Sequence, residues 1–401
     1  MDPVGVQITP IFNLLILMVL VSLITQRFRM PYTVALVFAA IFSSMLSPHS
    51  LPQFSKETFL SILLPPVIFQ AAIRYDISEI RRNGSIIFSL TFIGTLLSAL
   101  LIGFFINFIL NIPLLEAFLL GVIISPTDPT AVISTLRKFS VPRRLRLIIE
   151  GESLFNDGIA VVAYSALILS FKTGSFDITI FFRDVISSII VGMVIGIIIG
   201  YIISRAIIMT QENFVKILLT FIGMYSSYQI SEYFGGNGII SVAVTGIIIG
   251  TLIRKSIPSR SMEDIDMIWA FFAFIFTSVA FILIGLDIDL LVLDKYLYAI
   301  ALSILIVLAV RILTVYSVST PFNWKKEVIP RKWQNMIVWS GLRGAVSVML
   351  ALGLGSLGVQ YASELTAIIF GVVFFSILFQ GILFGVVADR LGFHHQSLRA
   401  G

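Results

Sequence analysis

Apolar segments of membrane-spanning length follow one another along almost the whole chain, and this repetition constrains the fold more than any other feature of the sequence. A helix needs about 20 mainly apolar residues to cross a bilayer. The strands of a membrane barrel would instead alternate apolar and polar residues, and the segments do not alternate in that way. Because 58% of the residues are apolar and only 12% are charged, a soluble domain could not carry this composition on its surface. The sequence therefore predicts an all-α integral membrane protein.

Thirteen transmembrane helices, called spans 1 to 13 here, are predicted from these segments. Their approximate ranges are 10–25, 31–46, 57–73, 85–110, 113–138, 148–171, 179–203, 214–232, 237–253, 266–286, 296–319, 333–355 and 363–388. Span 1 lacks the basic flank of a signal peptide and leads directly into further spans, so we expect it to be retained.

The distribution of basic residues predicts the orientation of the chain. When alternate loops are assigned to one side, that side collects 21 of the 27 Lys and Arg residues, namely Arg27, Arg29, Arg74, Arg81, Arg82, Arg137, Lys138, Arg143, Arg144, Arg146, Arg205, Lys216, Arg254, Lys255, Arg260, Lys325, Lys326, Arg331, Lys332, Arg390 and Arg399. The opposite side holds Lys56, Lys172, Arg183 and Lys295. The positive-inside rule then places the C-terminus in the cytoplasm and the N-terminus outside a plasma membrane. Loop cations also explain the net charge of +5, so no nucleic-acid partner is predicted.

The sequence excludes several kinds of chemistry. The chain has no cysteine, and its three histidines, His49, His394 and His395, fall in predicted loops or the tail. Thiolate metal sites and an intramembrane histidine proton carrier are therefore not expected. The sequence contains no His-Glu-x-x-His, Gly-x-Ser-x-Gly or Gly-x-x-x-x-Gly-Lys motif. We expect neither a membrane-embedded enzyme nor an ATP-driven pump, and no resident cofactor.

An inverted repeat is predicted from the odd number of spans. If span 7 is a connector, spans 1–6 and spans 8–13 form two six-helix units of opposite topology. Span 5 is interrupted by Pro126 and Pro129, and its partner, span 12, contains Gly341 and Gly344. Proline removes a backbone donor and glycine loosens a helix. Paired interrupted helices at matching positions of two halves indicate a transporter site at the membrane midplane, where spans 5 and 12 would cross.

Two carboxylates near the predicted crossing are the candidate ion-binding groups. A charge at membrane depth costs roughly 3 kcal/mol by the lower estimates, so Asp157, midway along span 6, indicates a function. Asp128 has two interpretations, a cap for the second half of span 5 and an ion ligand. Oxygen ligands for an alkali cation are offered nearby by Thr127 and Ser153, and Asn156 is the neutral neighbour of Asp157. A desolvated carboxylate gains affinity for a proton, so proton and metal cation would compete for Asp157.

Three further charged residues lie within the apolar spans. A buried Glu152 needs a cationic partner or must be protonated. Arg311, in the middle of span 11, is the leading candidate, and Arg343 is the alternative. We expect a structural pair of Glu152 with Arg311 that joins spans 6 and 11, with Arg343 compensating charge near the interrupted helices.

Three motifs together resemble those of the monovalent cation/proton antiporter family (CPA1), of the NhaP and NHE type. They are Thr127-Asp128-Pro129, the run Glu152 to Asp157, and Gly341-Leu342-Arg343-Gly344-Ala345. The resemblance spans essentially the whole chain. It implies a secondary active antiporter that exchanges Na⁺ or Li⁺ for H⁺ without a cofactor.

The resemblance also implies an architecture and a set of roles. A homodimer is expected, in which a core domain (84–171 and 296–390) moves like an elevator against a scaffold (1–83 and 172–295) that includes span 7. Asp157 would bind cation or proton, Asp128 and Thr127 would line the crossing, and Ser153 would coordinate the ion. Asn156 beside Asp157 resembles the electroneutral, one-for-one mode.

One position departs from the family pattern, and two other functions stay open. Gln70 stands where relatives often have an acidic residue, so a ligand or an access charge is missing from the expected set. K⁺/H⁺ exchange is an alternative to Na⁺/H⁺ exchange, because selectivity depends on cavity geometry. A cation channel would share intramembrane carboxylates but needs a filter, and no filter-like repeat is present.

Overall fold

The computed structural model describes residues 3–28, 32–46, 59–128, 136, 139–173, 176–287, 290–324, 329–355 and 359–393. These residues are helical almost throughout and contain no β-strand. The helices are α1 Pro3–Phe28, α2 Tyr32–Leu46, α3 Leu64–Ala72, α4 Ile77–Leu110, α5 Leu114–Ile124, α6 Arg143–Thr173, α7 Ile178–Met209, α8 Asn213–Tyr233, α9 Gly238–Ile253, α10 Ser259–Asp287, α11 Leu297–Ser319, α12a Arg331–Trp339, α12b Ala345–Leu352 and α13 Ala362–Arg390. Short helical turns also cover Phe59–Leu63, Leu290–Lys295 and Thr320–Trp324.

Each predicted span overlaps at least one helix, although span 5 does so over its first half and span 12 over two helices, and the prediction of an all-α membrane fold is confirmed. Within the described ranges, six helices are long and apolar enough to cross a membrane, namely α4, α6, α7, α10, α11 and α13, and shorter apolar helices accompany them. Several residues named above lie outside the described part of the chain: Arg29, His49, Lys56, Pro129, Arg137, Lys138, Lys325, Lys326, His394, His395 and Arg399. The predicted second half of span 5 also lies largely outside it.

Local sequence explains where several helices begin and end. The carboxylate of Asp177 accepts the Thr179 and Ile180 N–H groups at 2.7 and 3.2 Å and caps the start of α7. The Asn237 side chain accepts the Ile240 N–H at 2.8 Å and caps α9. α5 ends at Ile124, two residues before Pro126. The segment between α12a and α12b has no helical structure over residues 341–344, which include the two glycines predicted to loosen span 12.

The helices pack as two groups. α2, α3, α7, α8, α9 and α10 contact one another, and α4, α5, α11, α12b and α13 form the second group together with α6. Within the first group, Gly192, Gly196 and Gly200 allow α7 to approach α9 so closely that β-carbons there would collide with that helix or its cap. α6 also contacts α7 and α9, so it lies between the groups. This arrangement places α6 beside the space where the two groups face each other.

Candidate ion-binding site

One stripe of α6 carries the polar residues that face this space. Glu150, Ser153 and Asp157 are separated by three and four residues, which places them on one side of a helix. Asp157 is 8% exposed and lies midway along α6, where no helix end explains an acidic side chain. It makes no hydrogen bond or ion pair with any other residue that the structure describes. An unpaired carboxylate at this depth is available to an ion or a proton.

The two interrupted helices cross beside this stripe. The Asp128 N–H donates to the Leu342 carbonyl at 2.7 Å, and the Asp128 side chain contacts Gly344, the residue that precedes the first turn of α12b. The Arg343 guanidinium donates to the carbonyls of Ser125 and Pro126 at 2.5 and 3.2 Å. The acidic side chain of Asp128 thus lies at the N-terminal end of α12b, and the cationic side chain of Arg343 lies at the C-terminal end of α5. Each charge is favourable there, because it has the opposite sign to the partial charge of the helix end.

Within the described residues, the side chain of Asp128 therefore lies at the second interrupted helix, α12b. A cap on the second half of span 5 stays a prediction, because that half lies largely outside the described residues. The contact between Asp128 and Gly344 joins spans 5 and 12 at the expected crossing, together with the hydrogen bonds from the Asp128 N–H and the Arg343 guanidinium.

Hydrogen bonds fix the segment that carries Thr127. The Asn156 side-chain amide donates to the Thr127 hydroxyl at 2.8 Å, and the hydroxyls of Thr127 and Ser153 are 3.0 Å apart. All three residues are at most 2% exposed. The amide oxygen of Asn156 has no hydrogen-bond partner among the described residues. Asn156 thereby connects α6 to the interrupted helix rather than facing the cavity described next.

A cavity of about 380 Å³ lies between the two helix groups. Asp128, Ser153 and Asp157 line its wall on one side, and Gln70 of α3 lies in the opposite wall with residues of α2 and α10. Thr127 and Asn156 are not among its lining residues. The structure thus brings three of the five predicted binding residues to one water-accessible space and places the other two directly behind it.

A buried charge pair joins α6 to α11. Arg311 donates to both carboxylate oxygens of Glu152, at 2.5 and 3.1 Å, and to the Ile337 carbonyl at 2.9 Å. Gly341 leaves room for the guanidinium, because a β-carbon there would collide with it. Of the two partners considered for Glu152, Arg311 is therefore the one that binds it. Arg343 instead donates to the backbone carbonyls that follow α5.

Sequence reasoning missed two residues of this region. Glu150 lines the same cavity as Asp157, and the Tyr75 hydroxyl donates to the Glu150 carboxylate at 2.7 Å. The spacing of seven residues between Glu150 and Asp157 was the available signal for a shared face. The partner Tyr75 carries no such signal, because it lies 75 residues earlier in the chain.

The donor set suits a transiently bound alkali cation. Carboxylate and hydroxyl oxygens are hard ligands, and among the described residues no three His, Cys, Asp or Glu side chains form a group that could hold a metal ion. The carboxylates of Asp128 and Asp157 and the Ser153 hydroxyl are few ligands for a metal ion, so an ion bound there with water could also be released.

The comparisons with known proteins agree with this geometry. The family described as "Sodium/hydrogen exchanger, transmembrane" matches residues 14–390. The Na(+)/H(+) antiporter ApNhaP of Aphanothece halophytica is 32% identical, with 92% of this chain and 72% of that protein covered. The low-affinity Na(+)/H(+) antiporter NhaS1 of Synechocystis sp. is 30% identical, with 88% and 68% covered.

A solved structure shares the fold. The sodium proton antiporter MjNhaP1 from Methanocaldococcus jannaschii superimposes with a TM-score of 0.78 over 96% of this chain and 99% of that chain, at 21% identity. Since the family match covers nearly the whole chain, and the interrupted helices, the crossing and the buried carboxylates lie within it, this protein belongs to the sodium/hydrogen exchanger family.

Proposed function

We propose that this protein is a secondary active antiporter that exchanges Na⁺ or Li⁺ for H⁺ across the membrane. The observation that carries the proposal is the unpaired, buried carboxylate of Asp157 in the wall of the 380 Å³ cavity. A carboxylate in such a place costs free energy and is retained where an ion or proton binds it. The relatives named above are Na(+)/H(+) antiporters, which supports the same function for this chain.

Competition at one group is sufficient for exchange. Asp157 binds either a metal cation or a proton, because both need the same carboxylate oxygens. Asp128 and Ser153 share its cavity and supply further oxygens, and Thr127 supports Ser153 from behind. If Asp157 is reached from only one side of the membrane at a time, a metal cation released on one side is replaced there by a proton. We expect a one-for-one, electroneutral stoichiometry.

Alternating access requires two parts of the protein that move relative to each other, and the two helix groups are the candidates for these parts. We propose that residues 84–171 and 296–390 move as a core against the scaffold 1–83 and 172–295. The cavity between the groups supports this division, because a relative movement there would change which side reaches Asp157. We also propose a homodimer in the plasma membrane with its N-terminus outside. The excess of basic residues on one side supports that orientation.

Transport by purified protein in liposomes tests the proposal. With an imposed pH gradient, addition of Na⁺ or Li⁺ should collapse the gradient, and Asp157→Asn should abolish the response. Asp184→Asn is the matched control, because Asp184 lies on the exposed surface of α7 in an ion pair with Arg183. Normal exchange by Asp157→Asn would refute the mechanism. A response to K⁺ alone would identify a K⁺/H⁺ antiporter, and a current without any pH gradient would identify a channel.

A further inference from the structure

Besides Asp128 and Asp157, a third carboxylate, that of Glu150, lines the cavity. Glu150 is on α6, seven residues before Asp157, so the two side chains are about 10 Å apart along the helix axis. It is only half-buried, whereas Asp157 is buried. Glu150 is therefore closer than Asp157 to the start of α6, and its side chain is the more exposed of the two.

The surroundings of Glu150 are strongly basic. Arg143, Arg144 and Arg146 lie in the first turn of α6, and Arg74 lines the cavity opposite. Two of these cations have partners outside the cavity, since Arg143 pairs with Glu79 and the Arg144 guanidinium donates to the Asn83 side chain. A mobile cation that approaches from this side meets a positive potential, which lowers its local concentration. A carboxylate in the cavity wall reduces that repulsion, because its negative charge attracts the cation.

A hydrogen bond fixes where the Glu150 carboxylate points. Tyr75 is 4% exposed and donates its hydroxyl to Glu150 Oε2 at 2.7 Å. A buried tyrosine has few alternative positions, so this bond limits the rotamers of a side chain that would otherwise be free to reach solvent. Tyr75 follows α3 and Glu150 lies on α6, so the bond also joins the end of α3 to α6.

We propose that Glu150 is the access carboxylate of this transporter, which draws the cation into the cavity before it reaches Asp157, and that Tyr75 positions it. The proposal rests on the antiporter function proposed above. The cavity has Gln70 on α3 where an acidic residue was expected, and Glu150 on α6 supplies an acidic group within the same cavity. Glu150 thus affects how readily the cation enters the cavity, and it takes no part in the competition between cation and proton at Asp157.

The test is the KM for Na⁺ measured from each side of the membrane. A unit charge about 10 Å from a site, at an effective dielectric of about 40, changes cation occupancy roughly fourfold. Glu150→Gln should raise the KM for Na⁺ about fourfold at the face where this cavity opens, with the maximal rate and the KM at the other face unchanged. The increase should shrink when an impermeant salt screens the charge.

Three further variants complete the set. Glu79→Gln is the matched comparison, because Glu79 carries the same charge in the same basic region but does not line this cavity, and it should raise the KM less than Glu150→Gln does. Glu150→Asp should restore most of the wild-type KM, and Tyr75→Phe should raise it less than Glu150→Gln, since the charge stays.

Equal KM values for Glu150→Gln and Glu79→Gln would overturn this inference, as would a change in maximal rate alone. Asp157→Asn, assayed in parallel, separates the two proposals. If Asp157→Asn is inactive while Glu150→Gln behaves as wild type, only the role of Glu150 fails. If Asp157→Asn transports normally, the proposed function fails with it.

Discussion

The side chain of Asp128 occupies the space beside the Gly344 α-carbon that a β-carbon on this glycine would need. The two interrupted helices can therefore approach each other only because residue 344 has no side chain. A methyl group there must displace the Asp128 carboxylate from the N-terminal end of α12b. Since displacements of about 1 Å in a functional site can cost as much as 100-fold in rate, we expect Gly344→Ala to lower Na⁺-dependent exchange at least tenfold.

Initial rates in proteoliposomes, with the amount of folded protein checked by gel filtration, provide the measurement. Gly355→Ala is the matched control, because Gly355 lies shortly after α12b and a β-carbon there meets no atom within 4 Å among the described residues. The control should transport normally. Wild-type rates for Gly344→Ala would mean that the observed contact with Asp128 is not needed.

The buried pair of Glu152 and Arg311 gives a prediction about stability. Breaking such a pair leaves one charge buried without compensation, which costs about 3–5 kcal/mol. Glu152→Gln should therefore lower the thermal unfolding midpoint of the detergent-solubilised protein strongly. The double variant Glu152→Gln/Arg311→Gln should recover part of the loss, because no unpaired charge remains.

The exposed pair of Arg183 and Asp184 supplies the comparison for this experiment. Arg183→Gln should change the midpoint little, since exposed pairs contribute about 0–1 kcal/mol. Losses that simply add in the Glu152/Arg311 double variant would show that the two side chains do not act as a pair.

The fold was predictable from the sequence because membrane helices carry their signal locally. Each span needs its own run of apolar residues, so the thirteen runs could be recognised one at a time. Helix ends such as Asp177 before α7 depend on neighbouring residues only. The interruption of span 5 followed from Pro126 and Pro129, whereas glycine alone left the extent of the break in span 12 undetermined.

The site was only partly predictable, because its contacts join residues far apart in the chain. Asp157 was recognisable as a charge in an apolar run. The choice of Arg311 over Arg343 as the partner of Glu152 required the packing of α11 against α6. The role of Asn156, which donates to Thr127 rather than facing the cavity, depends on how the two helices are rotated, and no local pattern encodes that rotation.

The Thr127 hydroxyl gives a third prediction. Thr127→Val keeps the shape but removes the hydroxyl that accepts from Asn156 and pairs with Ser153. Leaving a buried donor unpaired costs about 1–3 kcal/mol, and Ser153 loses its support beside the ion. We expect lower stability together with a higher KM for Na⁺, and Thr127→Ser should restore both.

Thr220→Val separates the local effect from general destabilisation. Its hydroxyl accepts from the Trp269 indole at 2.9 Å in the other helix group. This variant should lose stability without a change in KM. If Thr127→Val shows the same behaviour, Thr127 has no part in cation binding.

The cap of α7 gives a prediction about pH. Hydrogen bonds from the backbone N–H groups of Ile180 and Thr179 hold the pKa of Asp177 below its ordinary value. A lowered pKa in the folded state stabilises the protein above the unfolded pKa of about 3.9, and this contribution is lost as the pH falls through the folded value. Asp177→Asn keeps an acceptor without a charge. The difference in unfolding midpoint between wild type and Asp177→Asn should therefore shrink below about pH 4, and a constant difference would contradict the assignment.

Exchange at a single carboxylate predicts transport that is independent of voltage. Na⁺ and H⁺ each bring one positive charge to Asp157, so the loaded site has the same net charge in both directions of a one-for-one exchange. A net charge that crosses the membrane would change in free energy by about 2.3 kcal/mol per 100 mV. Initial exchange rates should thus be equal at 0 mV and at an imposed potential of about 100 mV, set with a potassium gradient and valinomycin. A steep dependence on voltage would require a second ion or proton in each cycle, and Asp128 would then be the group to examine, because it is an acidic residue of the cavity wall at the crossing of the interrupted helices.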